Sequence, residues 1–357
     1  MLASLSPIAY DQRRVEASAQ LGIRVSTLDS EMGSRRPIKE QSAGNSSVMT
    51  FADPELYPEA VDGLVLMETV VGIFRRFLIL PPGADVALTL FVFHTYLLDA
   101  AEASPIIALT SPEKRCGKTV VLEVLQSLTR RPLPAANITA AALFRTIEAF
   151  RPTLLIDEAD SFLPDNEELR GVLNSGHRRG TASIIRTTGD NYEPKAFSTW
   201  CAKAIALIGK LPGTLEDRSI EIAMVRKARD EKVERLRHRV LIQATTDIRR
   251  KLARWADDNK ELLIAADPEI PTELNDRAGD CWRPLLAIAD AIGGDWPNLS
   301  RAAAITLSAA NSVDDTSIGT QLLADLASIF SETEKLWSDV IVQQLAHTWA
   351  WGHVRYP

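Results

Sequence analysis

Nine residues, Ser111-Pro112-Glu113-Lys114-Arg115-Cys116-Gly117-Lys118-Thr119, do most to limit what this chain can fold into. They follow the apolar run IIALT (Ile106–Thr110) and precede the helix-forming VVLEVLQSL, which begins at Val120. A Gly-Lys-Thr set between a strand and a helix is the ending of a phosphate-binding loop. Each residue type has a chemical reason. Gly117 lets the backbone approach an anion with no Cβ in the way. Successive N–H groups and the following helix N-terminus form the cradle. Lys118 would set its ammonium against the β and γ phosphates, and the Thr119 hydroxyl would ligate Mg²⁺. The first glycine of the usual pattern is Pro112 here, which starts a turn but neither visits positive φ nor donates an N–H. Residues Ser111 to Val120 are therefore the expected nucleotide-binding stretch, with ATP and Mg²⁺ as cofactors.

A second motif supports the first. Thr153-Leu154-Leu155-Ile156-Asp157-Glu158-Ala159-Asp160 is an apolar strand ending in acids. Buried parallel strands read as continuous apolar runs, and their C-terminal ends carry ligand chemistry. Asp157 is the expected partner of Mg²⁺ and Glu158 the expected base that orients and deprotonates the attacking water. Asp160 reads as a helix cap in preference to a catalytic group.

From Pro105 to about residue 226 short β-rich runs alternate with helical stretches, the pattern of an α/β domain with a largely parallel sheet. Two helical stretches, 58–80 and 84–102, precede it, separated by Pro81-Pro82-Gly83. They define a helical collar over 51–104. Residues 1–50 offer one helix, Asp11–Leu21, and then a Ser-, Gly- and charge-rich stretch, SEMGSRRPIKEQSAGNSS, that reads as a flexible linker. Beyond residue 226 the strands stop. A long charged helix is expected from about Ala228 to Asn259, within a helical C-terminal domain over 227–357 that contains Trp282, Trp296 and Trp337. These tryptophans read as packing anchors rather than base-stacking platforms. The expected architecture is an AAA+-like P-loop NTPase core, preceded by a small helical segment and followed by an all-helical lid.

That order assigns further residues. AIALIG (Ala204–Gly209) suits the strand after the acidic motif, and Lys210 would sense the γ-phosphate from its end, with a solvated loop lysine as the alternative. Arg218, just before the last strand, is placed to act in trans on a neighbour's nucleotide, with a local ion pair to Glu216 or Asp217 as the alternative. Arg283 is the candidate lid arginine, with Arg277 as its competitor. The alternating run Thr181–Thr188, a Gly189-Asp190-Asn191 turn and Lys195–Trp200 read as a β-hairpin. Its neighbourhood supplies Arg178, Arg179, Arg186 and Lys195 as candidates for gripping single-stranded DNA; a plain surface hairpin is the alternative.

Composition sets bounds. Apolar residues make up 46% and charged residues 24% of 357, enough for a sizeable core. The net charge of −7 excludes bulk attraction to phosphate, so any nucleic-acid contact must be local. Cys116, Cys201 and Cys281 are too scattered for a zinc set or a disulfide framework, no run reaches the ~18 apolar residues of a membrane span, and the N-terminus lacks a signal pattern. A cytoplasmic protein is expected.

The residues from Ser111 to Leu163, with NEELRGVLNSGHRRG, KAIALIGKLPGTLEDRSI and DRAGDCWRPLLAIADAIGGDWP, resemble a domain of unknown function found in primase-helicase proteins of actinobacteria, phages and mobile elements. SPIAYDQRRVEASAQLGIRVSTLD is similar to the segment before that domain. The resemblance implies an ATP-dependent, helicase-like or DNA-remodelling motor assembled as a homo-oligomeric ring. The family also lacks the first P-loop glycine, and often has Gly where Arg115 stands here. The ending LWSDVIVQQLAHTWAWGHVRYP departs from the family's. An ATP-binding switch or scaffold that does not translocate is the alternative class, and a small-molecule kinase a weaker third.

Overall fold

The computed structural model describes residues 7–25, 27–28, 50–188, 192–228, 230–312, 325–330 and 337–347. The chain divides into two units, 1–50 and 51–357. In the first, α1 (Pro7–Leu21) starts four residues before the expected helix, and the proposed linker lies outside the described residues.

In the second unit α2 (Gly63–Phe77) starts on Asp62, whose carboxylate accepts the Val65 N–H at 3.2 Å, a cap that satisfies an otherwise free donor. After the Pro-Pro-Gly break, α3 (Ala84–Tyr96) is buried on nearly every side, as its uniformly apolar sequence requires. Gly83 enters α3 at φ +82, and a Cβ there would stand 3.0 Å from the Ala303 backbone. Glycine is needed for both reasons.

The sheet contains β1 (Ile106–Thr110), β2 (Pro132–Ala135), β3 (Thr153–Ile156), β6 (Lys203–Ala206) and β7 (Ser219–Ala223) in the order β2-β3-β6-β1-β7, all parallel. Between them run α4 (Lys118–Leu128), α5 (Ala140–Phe150), α6 (Glu167–Ser175) and the single turn α7 (Gly213–Glu216). The α/β class and the parallel sheet agree with expectation. β2 had no strand signal, because it reads Pro-Leu-Pro-Ala; a sheet edge is where proline's missing N–H is tolerated. β4 (Ser183–Thr188) and β5 (Glu193–Ser198) form a separate antiparallel hairpin, and residues 189–191 of its expected turn lie outside the described residues.

Alternation along β1 divides the core. Ile107 and Leu109 join one cluster with α2, α3, α4 and the C-terminal helices α8 (His238–Ile264), α9 (Asp276–Ile292) and α10 (Trp296–Ser312). Ile106 and Ala108 join the other, with α5 and α6. The expected collar and lid thus share one hydrophobic layer with one face of the sheet.

The charged helix departs from expectation at its start: α8 begins at His238, and residues 230–237 are irregular. Trp282 and Trp296 are buried as expected, whereas Trp337, just before α11 (Ser338–His347), is 84% exposed. Among the described residues no helix is long and apolar enough to cross a membrane.

Candidate nucleotide-binding site

The loop between β1 and α4 has the backbone its chemistry calls for. Gly117 lies at φ +87 as the N-cap of α4, a backbone conformation that favours glycine. Arg115, where a glycine would be unstrained, takes φ +69. A non-glycine residue there costs about 1–2 kcal/mol. The loop therefore keeps its curve with Gly117 as its one glycine. Ser111 is buried and donates to the Glu113 carbonyl at 2.7 Å, tying the start of the turn. Cys116, also buried, donates weakly to the same carbonyl at 3.4 Å. Glu113 and Lys114 are exposed on the loop, as is Pro112.

Strand order then assembles the polar groups. Lys118 Nζ donates to Ser111 Oγ, folding the ammonium back over the loop. Thr119 Oγ1 donates to Asp157 Oδ2 at 3.0 Å, so the hydroxyl and carboxylate proposed for Mg²⁺ stand together although separated in sequence. These are the hard oxygen donors that such an ion takes. Asp157 Oδ1 accepts the Glu158 N–H at 2.9 Å, and Glu158 sits at φ +52. Strained backbone at a strand end beside a phosphate loop marks a candidate functional residue.

β6 lies between β3 and β1, so its C-terminal end meets both motifs. Gly209 N–H donates to the Ser111 carbonyl at 3.0 Å, which carries the exposed Lys210 to the loop's edge. Asp160 Oδ1 accepts the Ile208 N–H at 3.0 Å. Asp160 is therefore no helix cap but a tie between the acidic turn and the end of β6.

Beside the loop is a cavity of about 360 Å³, within the usual range for small-ligand pockets of roughly 300–1,000 Å³. Arg115, Cys116, Gly117 and Val120 line one side. Phe77 and Leu78, Met224 and Val225, and Val233 and Leu236 supply apolar walls from three separate segments. The sequence reading missed these residues. Their only signals were apolar positions before Pro81-Pro82 and two aliphatics within an otherwise charged run.

The remaining candidates lie elsewhere. Arg218 precedes β7, whose first residue pairs with Ile106, so it stands at the N-terminal end of the sheet. That is about 17 Å of strand from the phosphate loop. Its guanidinium donates to the Thr214 carbonyl, and Asp217 pairs with Arg277. Arg283 pairs with Asp267 on the connection before α9. Neither Arg277 nor Arg283 lines the cavity beside the loop.

The hairpin's cations are engaged. Arg178 pairs with Asp280, and Arg179 donates to the Asp99 carbonyl. Arg186 donates to Glu168 at 2.9 Å and lies 5.7 Å from the Phe144 ring centre. Lys195, directly opposite Arg186, lies over the Phe197 ring at 5.2 Å. Phe197 in turn packs on Phe144 with ring centres 4.9 Å apart. Arg186 and Lys195 thus share the hairpin face that carries Phe197 and meets Phe144 of α5. The opposite face presents Ile185, 68% exposed, and the hairpin's end presents Tyr192, 77% exposed. Tyr192 was also missed; its signal was an aromatic residue directly after the turn.

Comparison with known proteins locates the chain further. Residues 223–355 match the family described as protein of unknown function (DUF3631). The match begins at the end of β7 and covers the helical region, including Asp276–Pro297 but not the phosphate loop. An uncharacterized 28.9 kDa protein in the xis 5′ region of Saccharopolyspora erythraea is 38% identical over 123 residues, 34% of this chain. The chain spans only 46% of that relative's length. Among solved structures, a full-length MCM homolog from Methanopyrus kandleri aligns over 71% of this chain and 62% of its own, at 12% identity and a TM-score of 0.46. The apo C-terminal region of NrS-1 aligns over 68% and 66%, at 11% identity and a TM-score of 0.36. These likenesses assign no residue role.

Proposed function

We propose that this protein is an ATP hydrolase of AAA+ type that drives a helicase-like or remodelling task on DNA, in the setting of a phage or mobile element. The observation that carries the ATPase reading is the meeting of Lys118 with Ser111 and of Thr119 with Asp157 beside the apolar cavity. Lys118 and the loop N–H groups hold the β and γ phosphates, and the cavity takes the base. Thr119 and Asp157 hold Mg²⁺, which when bound offsets charge on the phosphates. Glu158 orients and deprotonates the attacking water. Lys210 reads the γ-phosphate from the end of β6. Arg218, too far from its own loop, acts on the nucleotide of the next copy in a homo-oligomeric ring. Arg283 reports on nucleotide from the C-terminal helices.

On this reading DNA is met at the hairpin, by Lys195 and by Tyr192, whose exposed ring suits stacking on an unpaired base. The test is ATP hydrolysis with and without single-stranded DNA, using Lys118→Ala as the blank. Stimulation by DNA supports the motor.

A second reading is favoured by one observation: Arg178, Arg179 and Arg186 are all engaged within the chain. The protein is then an ATP-binding switch or scaffold whose arginines maintain its own shape. Lys195→Ala with Tyr192→Ala separates the two. The motor loses DNA-stimulated turnover and keeps its basal rate; the switch shows no stimulation to lose.

A further inference from the structure

Between β7 and α8, residues 224–228 and 230–237 pass the loop as an irregular strap and form one wall of the cavity, through Val225, Val233 and Leu236. Its residues, rich in Lys, Arg and Glu, favour helix by propensity. Tertiary contacts hold it open at one point. The Glu234 N–H donates to the Arg76 carbonyl at 3.0 Å. Arg76 returns two bonds, Nε to Oε2 at 2.6 Å and Nη2 to Oε1 at 2.9 Å. Arg76 belongs to the last turn of α2, and its guanidinium lies 5.1 Å from the ring centre of Phe77, which lines the same cavity.

An exposed ion pair alone contributes little. Here the fork is bidentate and a backbone bond runs beside it, which fixes the register of the strap as well as its proximity. A shift of one residue would carry Val233 and Leu236 away from the cavity. The contacts that hold the loop itself, Lys118 to Ser111 and Thr119 to Asp157, share no atom with this pair.

We propose that Arg76 and Glu234 form a latch that sets the strap as the wall against which the nucleoside half of a bound triphosphate is held. Both are positioning residues for the base and sugar; the phosphates are held independently by the loop. The latch rests on the reading of this loop as a nucleoside triphosphate site.

The test compares binding of ATP and of inorganic tripolyphosphate, each with Mg²⁺, by the full chain and by Arg76→Glu, Glu234→Arg and the double swap. Each single reversal weakens ATP by about fivefold and leaves tripolyphosphate unchanged; the swap restores ATP binding. In turnover, KM rises and kcat stays. Equal weakening of both ligands, or failure of the swap to restore ATP binding, overturns the latch. ATP binding indifferent to both reversals overturns the latch and leaves the phosphate site standing. Wild-type protein that binds neither ligand overturns the site and the latch together.

Discussion

The two ends of the parallel sheet carry similar side chains and treat them in opposite ways. At the C-terminal end Lys118, Thr119, Asp157 and Glu158 gather on loops beside an open cavity. At the N-terminal end a lysine and two histidines are sealed in. Lys203, 1% exposed, begins β6 and donates to the carbonyls of Gly176 and Cys201 at 2.7 and 2.8 Å. His94 Nε2 meets Ser104 Oγ at 3.0 Å, and His177 Nδ1 meets the Ser104 carbonyl at 3.2 Å. Burial pushes the Lys203 ammonium below its usual range. It pushes His94 down to about 3 and His177 to about 4. One end keeps polar groups available to a ligand. The other uses them to join α3, the start of β1, the end of α6 and β6, where burial disfavours their charged forms.

The sharpest break between the ends is expected in turnover. Lys118→Ala should lower ATP hydrolysis on the order of 10²–10³-fold with little change in thermal stability. Glu158→Gln should retain ATP binding and lose hydrolysis by on the order of 10²-fold. Turnover untouched by that change would remove Glu158 from the proposed role.

The closed end should instead reveal itself in stability against pH. Folding holds both histidines neutral, so below their ordinary value of 6.5 the unfolded chain takes up protons that the folded chain refuses. Stability should be full above about pH 6.5 and fall as pH drops towards 4, by about 1 kcal/mol per pH unit for each histidine. Urea midpoints at pH 7 and pH 5 measure it, and His94→Gln should flatten the slope.

Smaller effects test the borderline positions. Arg186→Ala removes both the Glu168 pair and the cover over Phe144, and should cost about 1 kcal/mol in denaturant unfolding. Lys195→Ala should leave stability nearly unchanged and reduce the salt dependence of DNA binding, if the hairpin grips a strand. Arg115→Gly relieves a positive φ, and should raise stability by about 1 kcal/mol in the same assay. A loss there would mean that the guanidinium contributes more than its backbone costs.

Much of this was legible because it is local. A strand, a glycine at positive φ and a helix start lie within a few residues of one another, so the β1–α4 loop is written in one stretch of sequence. The β1, β3 and β6 runs are largely apolar because both their faces are buried, whereas β7, at the sheet edge, buries only alternate residues. The start of α8 was not legible. Residues 230–237 satisfy helical propensity, yet Glu234 finds its partner on α2, and no local pattern records a contact 158 residues away. β2 was hidden by its prolines.

The hairpin shows the same limit from another side. Alternation and a turn signal gave its strands, but the pattern does not say which face is covered. Packing of Phe197 on Phe144 set Arg186 and Lys195 on the hairpin face that carries these rings and left Ile185 on the other. The sequence by itself determined the strand–glycine–helix turn, the acidic strand end and the α/β alternation, because each depends on neighbours along the chain. Only the tertiary structure decided which charges are spent on the protein's own fold, which apolar residues wall the cavity, and where Arg218 stands. Those depend on strand order and on contacts between distant segments, which no short window of residues contains.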